Sequence, residues 1–253
     1  MAKVSLILPT FNERENIKRL LEAILSYLRP PREIIVVDDN SPDGTWEVVQ
    51  RLECKCSSIR LIRRQGQRGL ASALAEGIAA ATGDIIGWMD ADFSMPPEFL
   101  PILLVRLEEC DLAFGSRYVA GGADKRGEWL RVVASRWLNG LASLLLGFPP
   151  RDHVSGFILA RREVLEQVPL PSAVYGEYCI EFLHRARRKG FRLQEVGYVC
   201  SPRWRGRSKP GTNLLTLVKY GWVYLWNIIK LRGQFWVEDW RSGSPHKGGS
   251  FYA

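Results

Sequence analysis

The amino-terminal part of the chain alternates short apolar runs with polar turns and amphipathic helical patterns, which leaves few folds open to it. Val4-Ser-Leu-Ile-Leu8 reads as a strand, and Pro9-Thr10-Phe11-Asn12-Glu13 as the turn after it. A helix beginning near Arg14 then carries Ile17, Leu20, Leu21, Ile24 and Leu25 on one face. Glu33-Ile-Ile-Val-Val37 is a second strand. It ends in Asp38-Asp39-Asn40-Ser41-Pro42-Asp43-Gly44-Thr45, where Asp43 or Thr45 can cap a helix from Trp46 to Leu52. A third unit runs from Ile59-Arg-Leu-Ile62 through a Gly/Ala-rich helix over 69–82 into a fourth apolar run, Asp84 to Met89. Strand, helix, strand at this spacing predicts an α/β domain with a mostly parallel sheet, right-handed crossovers and one binding crevice along its carboxyl edge.

At the end of the fourth run stand Asp90-Ala91-Asp92, followed by Phe93-Ser94-Met95-Pro96-Pro97. Ligands of open α/β sheets bind at the carboxyl ends of the strands, and two hard oxygen ligands there suit Mg²⁺ or Mn²⁺ carrying a diphosphate. An isolated Asp-x-Asp is commonplace in solvated turns, but here the earlier strands also end in loops bearing carboxylates or an aromatic ring. Asp38 and Asp39 must differ in role. Adjacent side chains leave a strand on opposite sides, so one faces a ligand while the other points away or holds the turn.

The 253 residues, 46% hydrophobic and 25% charged, suffice for a single domain with a sizeable core, and no repeat or low-complexity linker divides them. Five cysteines, at 54, 56, 110, 179 and 200, form no CxxC pair and have no histidine partner at zinc spacing; they read as reduced thiols of a cytoplasmic protein. Met1-Ala-Lys-Val-Ser lacks the apolar stretch of a signal peptide. The net charge of +8 asks for an anionic partner. No helix-turn-helix, zinc or stacking-sheet pattern accompanies it, so nucleic acid is not expected. The basic residues gather instead at Arg117, Lys125-Arg126, Arg131, Arg136, Arg185-x-Arg187-Arg188-Lys189 and Arg203-x-Arg205-x-Arg207-x-Lys209, where a lipid phosphate or anionic membrane can use them. The group at 185–189 reads as the solvated face of a helix.

Five motifs in order, Pro9-Thr-Phe-Asn-Glu13, Asp38-Asp-Asn-Ser-Pro-Asp-Gly-Thr45, Gly69-Leu70, Asp90-Ala-Asp92 and Gly115-Ser-Arg-Tyr-Val-Ala-Gly-Gly122, resemble the inverting nucleotide-sugar transferases of GT-A (Rossmann-like) fold, and more narrowly the dolichol-phosphate mannose synthases and polyprenyl-phosphate glycosyltransferases. The resemblance covers roughly residues 3 to 210. It implies a donor site of Pro9, Phe11, Glu13, Val37, Asp39, Arg68, Asp90, Ala91, Asp92, Arg203 and Lys209, with Phe11 lying against the nucleobase. Metal ligation falls to Asp90 and Asp92. Ser94 stands where many members have a glutamine, so a hydroxyl or a water completes the shell. Arg117, Arg131 and Ser135 would hold the acceptor phosphate; on a helix, 131, 135 and 139 share one face. Asp92 and Arg117 are the residues expected to carry catalysis. A phosphate acceptor is already an anion, so no strong general base is needed, and His153 of Asp152-His-Val-Ser-Gly-Phe157 is not expected to act as one. Glu177 and Glu181 include the family's interior carboxylate, assigned to Glu181. Gln67 replaces a frequent lysine, leaving Arg68 to supply that charge, and Gly206-Arg-Ser-Lys209 keeps the late basic loop as a flexible clamp.

Beyond residue 210 the character changes. Residues 211–240 place Thr216, Lys219, Asn227 and Lys230 on one stripe and apolar or aromatic groups around the rest, with Tyr220, Trp222, Tyr224 and Trp226 suited to lipid headgroups. Two lysines, an asparagine and a glycine argue against a spanning helix. The alternatives are an interfacial helix and a helix packed on the catalytic domain. Residues 241–253 read as a loose tail. The expectation is therefore a metal-dependent enzyme, peripheral on the cytoplasmic face of a membrane, that moves mannose from GDP-mannose to dolichyl or another polyprenyl phosphate, with a separate membrane subunit as a candidate partner. A UDP-sugar donor carrying glucose or an N-acetylhexosamine is the rival within enzymes, and a non-catalytic nucleotide-sugar-binding subunit the rival outside them.

Overall fold

The computed structural model describes residues 2–127, 129–147, 151–172, 176–205 and 214–242. In chain order the elements are β1 (Val4–Thr10), α1 (Arg14–Tyr27), β2 (Arg32–Asp38), α2 (Thr45–Glu53), β3 (Ile59–Arg63), α3 (Leu70–Ala80) and β4 (Ile85–Trp88). A turn of 3₁₀ helix (Pro97–Phe99) leads to α4 (Leu100–Arg106), β5 (Leu112–Ser116), β6 (Ala123–Asp124) and α5 (Trp129–Leu146). The remainder is β7 (Ile158–Arg161), α6 (Arg162–Gln167), α7 (Tyr178–Arg188), β8 (Leu193–Gly197), β9 (Val199–Cys200) and α8 (Leu214–Ser242).

Seven strands form one sheet in the order β3-β2-β1-β4-β7-β5-β8. All neighbours are parallel except β7, which runs antiparallel between β4 and β5. The mostly parallel sheet expected from the sequence is therefore present, with one reversed strand that the repeating pattern did not announce. Because β7 is antiparallel to both neighbours, β4 and β5 point the same way and end on the same edge.

The central strands are apolar on both faces, as a sheet covered by helices on each side demands. Leu6 and Leu8 of β1 pack with Ile17, Leu20, Leu21 and Ile24 of α1, whereas Ile7 joins Ala73 and Leu74 of α3 on the other face. The approach of α3 is set by Gly77: a Cβ there would sit 2.5 Å from Ile7 Cγ2 and 3.1 Å from a methyl of Val37. The five cysteines are free thiols.

A third apolar cluster joins Ala142 and Leu146 of α5, Ile180 of α7, and Ile228, Leu231 and Phe235 of α8. The opposite face of α8 leaves Trp222, Trp226, Trp236 and Trp240 at 63 to 77% exposure. The packed alternative thus accounts for one face of the helix, and Tyr224, expected at a lipid surface, packs inward. The helix also continues through Trp240 and Arg241 to Ser242, and residues 243–253 of the expected tail lie outside the described residues. Among the described residues no helix is long and apolar enough to cross a membrane. The basic group on α7 is not simply a solvated face. Arg188 pairs with Asp239 at 2.7 Å, and Arg185 with Glu181 at 2.7 Å and Glu238 at 3.7 Å, which ties α7 to α8.

Between α5 and α7 two buried imidazoles stack, His153 on His184, with ring centroids 5.2 Å apart and planes 5° from parallel. Nε2 of His153 lies 2.9 Å from Ser143 Oγ, and its Nδ1 lies 3.2 Å from Nε2 of His184. Burial lowers the His153 pKa to about 4, and burial together with His153 lowers that of His184 well below its ordinary value.

Two outcomes follow from this packing. Gly77→Val should cost about 1–3 kcal/mol in urea denaturation, the usual penalty of overfilling a packed contact; an unchanged midpoint would show that α3 can move away freely. Stability should also fall on acidification. An unfolded His153 takes up its proton near pH 6.5 while the folded one resists until about 4. Stability is therefore intact above pH 6.5 and lost as the pH drops through that window, by roughly 2 kcal/mol at pH 5 from His153 alone. His153→Gln should remove that share of the slope, and a flat profile between pH 7.5 and 5 would contradict the neutral, buried pair.

Candidate active site

The register of the sheet builds the donor side. β1 lies between β2 and β4, with Thr10 opposite Asp38 and Ile7 opposite Trp88, so the loops after all three strands open on one edge. Asp38 is fully buried and accepts hydrogen bonds from Thr10 Oγ1 at 2.8 Å, the Ser41 N–H at 2.8 Å and Ser41 Oγ at 2.6 Å. It holds the turn. Asp39 takes the other direction: Oδ1 accepts from Arg64 Nε at 2.7 Å and from its terminal nitrogen, and Oδ2 accepts the Gly69 N–H at 2.9 Å. Arg64, buried at the end of β3, also donates to Ser72 Oγ and the Gly69 carbonyl. Sequence reasoning passed over Arg64. Its signal was a second charge beyond the apolar run of β3, beside Arg63, whose guanidinium covers Trp46 at 3.4 Å.

Phe11 is half-buried at the crevice, and Arg68 lies with its guanidinium carbon 4.9 Å from the ring centroid. Pro9 is half-exposed at the end of β1. The side chains of Val37, in β2, and Ala91, in the loop after β4, are buried, so any contact they make with a donor is through their backbone.

The acidic loop after β4 is held in a tight conformation. Phe93, between Asp92 and Ser94, has φ 65°, a left-handed backbone that a bulky residue adopts only when its surroundings enforce it. The Ser94 N–H donates to Asp92 Oδ1 at 2.9 Å. Arg203 reaches in from the loop after β9, with one nitrogen 2.7 Å from Glu13 Oε1 and another 3.1 Å from Asp92 Oδ2. The Trp204 N–H donates to the Asp92 carbonyl at 3.0 Å, which seats that loop. Glu13, Asp92 and Arg203 therefore meet as the sequence implied, while Lys209 lies outside the described residues. Burial first, and then the charge of Asp92, push the Asp90 pKa well up. Among the described residues no three His, Cys, Asp or Glu side chains converge as a finished metal cage. Two mutually repelling carboxylates on a sheet edge are the half-shell that suits a divalent cation, its other ligands coming from waters and a diphosphate.

At the end of β5 the chemistry changes sign. Asp152 Oδ2 accepts the Arg117 N–H at 3.0 Å and its Nε at 2.7 Å, and Oδ1 accepts from NH2 at 2.7 Å. Asp124, brought alongside by the β6–β9 pairing, lies 3.4 Å from Arg117 NH1 and 2.5 Å from Arg126 NH2. Tyr118 donates its hydroxyl to Ser135 Oγ at 2.9 Å. Arg117 and Tyr118 border a cavity of about 320 Å³ lined also by Arg136, Asn139, Ser143 and Arg151. Arg117 and Ser135 thus come together through Tyr118. Arg131 lies on α5 one turn before Ser135, with its side chain outside the described set. His153 is buried, and its Nε2 lies against Ser143 of the cavity wall. Glu177 is the more enclosed of the two carboxylates, 4% exposed at the start of α7, whereas Glu181 is half-buried and pairs with Arg185. Asp124 and the grip of Asp152 on Arg117 were not readable, because each joins residues that no periodicity relates.

Residues 5–168 match the family model described as Glycosyl transferase family 2. The chain is 39% identical over 237 residues to a dolichol-phosphate mannosyltransferase of Pyrococcus furiosus, covering 92% of this chain and 65% of that protein, so it spans about two thirds of the archaeal relative. It is 37% identical over 216 residues to a polyprenol monophosphomannose synthase of Mycolicibacterium smegmatis, covering 82% of this chain and 81% of the relative. Among solved structures, a glucosyl-3-phosphoglycerate synthase of Mycobacterium tuberculosis with Mn²⁺, UDP-glucose and phosphoglyceric acid shares the fold at TM-score 0.67 and 22% identity, over 92% of this chain and 80% of that one. The same synthase with Mn²⁺, UDP and glucosyl-3-phosphoglycerate superposes at TM-score 0.63 and 24% identity, over 98% and 82%. With the motifs on one sheet edge and a family model matched over more than half its length, the chain belongs to glycosyl transferase family 2.

Proposed function

We propose that the protein transfers mannose from GDP-mannose to a polyprenyl or dolichyl phosphate, with inversion at the sugar carbon. One observation carries the reading: two sites of opposite charge stand on the same edge of the sheet, a carboxylate crevice beyond β1, β2 and β4 and an arginine-walled cavity beyond β5. A nucleoside diphosphate with its cation suits the first, and an anionic acceptor suits the second. The names of the two curated relatives supply the sugar and the lipid class.

The residues divide the work accordingly. Phe11, with Arg68 over its ring, is placed to stack a base, and Asp39, fixed by Arg64 and Gly69, borders the ribose side. Asp90 and Asp92 would hold Mg²⁺ or Mn²⁺, which when bound neutralises the departing diphosphate. Arg203 already bridges Glu13 and Asp92 and adds positive charge to the same place. On the acceptor side a phosphate oxygen is anionic at neutral pH, so the site has to balance charge rather than remove a proton.

The acceptor's lipid places the protein at a membrane surface. Trp222, Trp226, Trp236 and Trp240 on α8, and separately Trp129 and Trp137 on α5, are exposed aromatic side chains of the kind that settle among headgroups.

Asp92→Asn and Asp90→Asn should each remove most transfer from GDP-mannose to a short polyprenyl phosphate while leaving the melting temperature close to that of the parent. A chelator should abolish the activity reversibly. Transfer that survives both substitutions, or is indifferent to the chelator, would remove the cation from this reading, and turnover only with UDP-sugars would replace the donor. Replacing Trp222, Trp226 and Trp236 together by alanine should weaken binding to phosphatidylserine vesicles without altering the circular dichroism. Undiminished vesicle binding by the folded triple variant would move the membrane contact elsewhere.

A further inference from the structure

Arg63 and Arg64 follow one another at the end of β3, and their side chains part. Arg63 stays exposed, covering Trp46 and donating through Nε to Asn40 Oδ1 at 2.7 Å. Arg64 turns inward and is 4% exposed, where a guanidinium has to find partners for its donors within the protein. Nε and Nη2 donate to Asp39 Oδ1, Nη1 donates to Ser72 Oγ at 2.9 Å, and Nη2 donates also to the Gly69 carbonyl at 3.0 Å.

Gly69 is thereby held on both sides. Its N–H donates to Asp39 Oδ2 at 2.9 Å while its carbonyl accepts from Arg64, and its φ of 139° is one that a side chain rarely allows. Residues 65–68 between the two anchors are exposed, and the last of them, Arg68, lies 4.9 Å from the Phe11 ring centroid. The Arg64 side chain thus closes the loop that carries Arg68. It also uses up part of Asp39. A carboxylate has about four acceptor positions. Two bonds from Arg64 meet Oδ1 and one from Gly69 meets Oδ2, so among the described contacts the capacity left for a ligand lies on Oδ2.

Resting on the nucleotide-sugar donor reading, we infer that Arg64 is a positioning residue for the donor's nucleoside. It aims the open side of Asp39 at the nucleoside and, through Gly69, sets how far the Phe11–Arg68 pair stands from that carboxylate. Arg64 acts through these groups and does not itself touch the donor. The diphosphate end is held elsewhere, by Asp90, Asp92 and Arg203, so a fault at Arg64 is felt by the nucleoside and not by the phosphates.

The full-length parent and its Arg64→Gln, Arg64→Lys, Asp39→Asn and Arg64→Gln/Asp39→Asn variants are titrated calorimetrically, in the presence of Mn²⁺, with GDP and separately with pyrophosphate, which lacks the nucleoside. Arg64→Gln should weaken GDP about tenfold or more, as expected when a charge-assisted contact stops orienting its partner. Arg64→Lys keeps the charge without the fork and should lose less. The double variant should bind GDP no more weakly than the worse single one, because Asp39 works only while Arg64 holds it. Pyrophosphate affinity should not change. In turnover the KM for GDP-mannose should rise with kcat nearly constant, and the KM for geranyl phosphate, a soluble prenyl monophosphate, should stay as in the parent.

Unchanged GDP affinity in a folded Arg64→Gln overturns the assignment. Equal losses for GDP and pyrophosphate also overturn it, since they would mean general damage to the sheet edge, and so do losses that simply add in the double variant. Should Arg64→Gln fail to fold, the same cycle is run with Arg64→Lys and decides by the same criteria. Binding keeps the inference apart from the functional reading. A parent that binds GDP but transfers no mannose loses that reading and leaves Arg64 its role; one that binds UDP instead loses the GDP donor, and the cycle is then decided with UDP. A parent that binds neither nucleotide overturns both.

Discussion

The pairing of β1 between two parallel neighbours sets the rest of the molecule. It brings the loops after β1, β2 and β4 to a single edge, and with them Glu13, Asp38, Asp39, Asp90 and Asp92. So many carboxylates at one edge would repel one another in a medium of low effective dielectric. The structure answers with arginines drawn from distant parts of the chain: Arg64 on Asp39, and Arg203 on both Glu13 and Asp92. Asp90 has no such direct partner among the described ion pairs, and burial first, then the charge of Asp92, raise its pKa. The same device recurs beyond β5, where Arg117 and Arg126 meet Asp152 and Asp124. Buried ion pairs contribute little to stability beside apolar packing, so their concentration along one edge points to positioning as what they provide.

These pairings also bear on the net charge of +8. The arginines matched to site carboxylates contribute nothing to it. What a lipid phosphate or an anionic surface meets is the remainder, including Arg136 and Arg151 at the cavity and Lys230 and Arg232 on the outer part of α8.

Local patterns were legible in the sequence, and contacts across long separations were not. The strands of residues 4–8, 33–37 and 59–62, the helix after Glu13 and the polar turn 38–45 follow from periodicity and turn chemistry, and the structure places them with shifts of a residue or two at their ends. The contrast between Asp38 and Asp39 followed from strand geometry alone. By contrast, the reversed β7 depends on which strands become neighbours after a long excursion through α5, and a four-residue strand does not encode that. Asp152 finds Arg117 across 35 positions. Glu177 and Glu181 look alike on a helical wheel, yet Glu177 is buried while Glu181 pairs with Arg185 one turn on, a difference set by what packs around each rather than by their spacing.

Helix α5 shows most directly how fold and substrate class are connected. Its inner face supplies Ala142 and Leu146 to the packing with α7 and α8. A second face gives Arg136, Asn139 and Ser143 to the cavity, and a third exposes Trp129, Trp137 and Leu144 at 71, 77 and 78%. A helix has room for three such stripes because residues three and four apart share a side. An acceptor with a charged head and a long apolar tail needs its head in a basic cavity and its tail in lipid, a few residues apart. On one rigid helix, cavity and aromatic face keep a fixed separation.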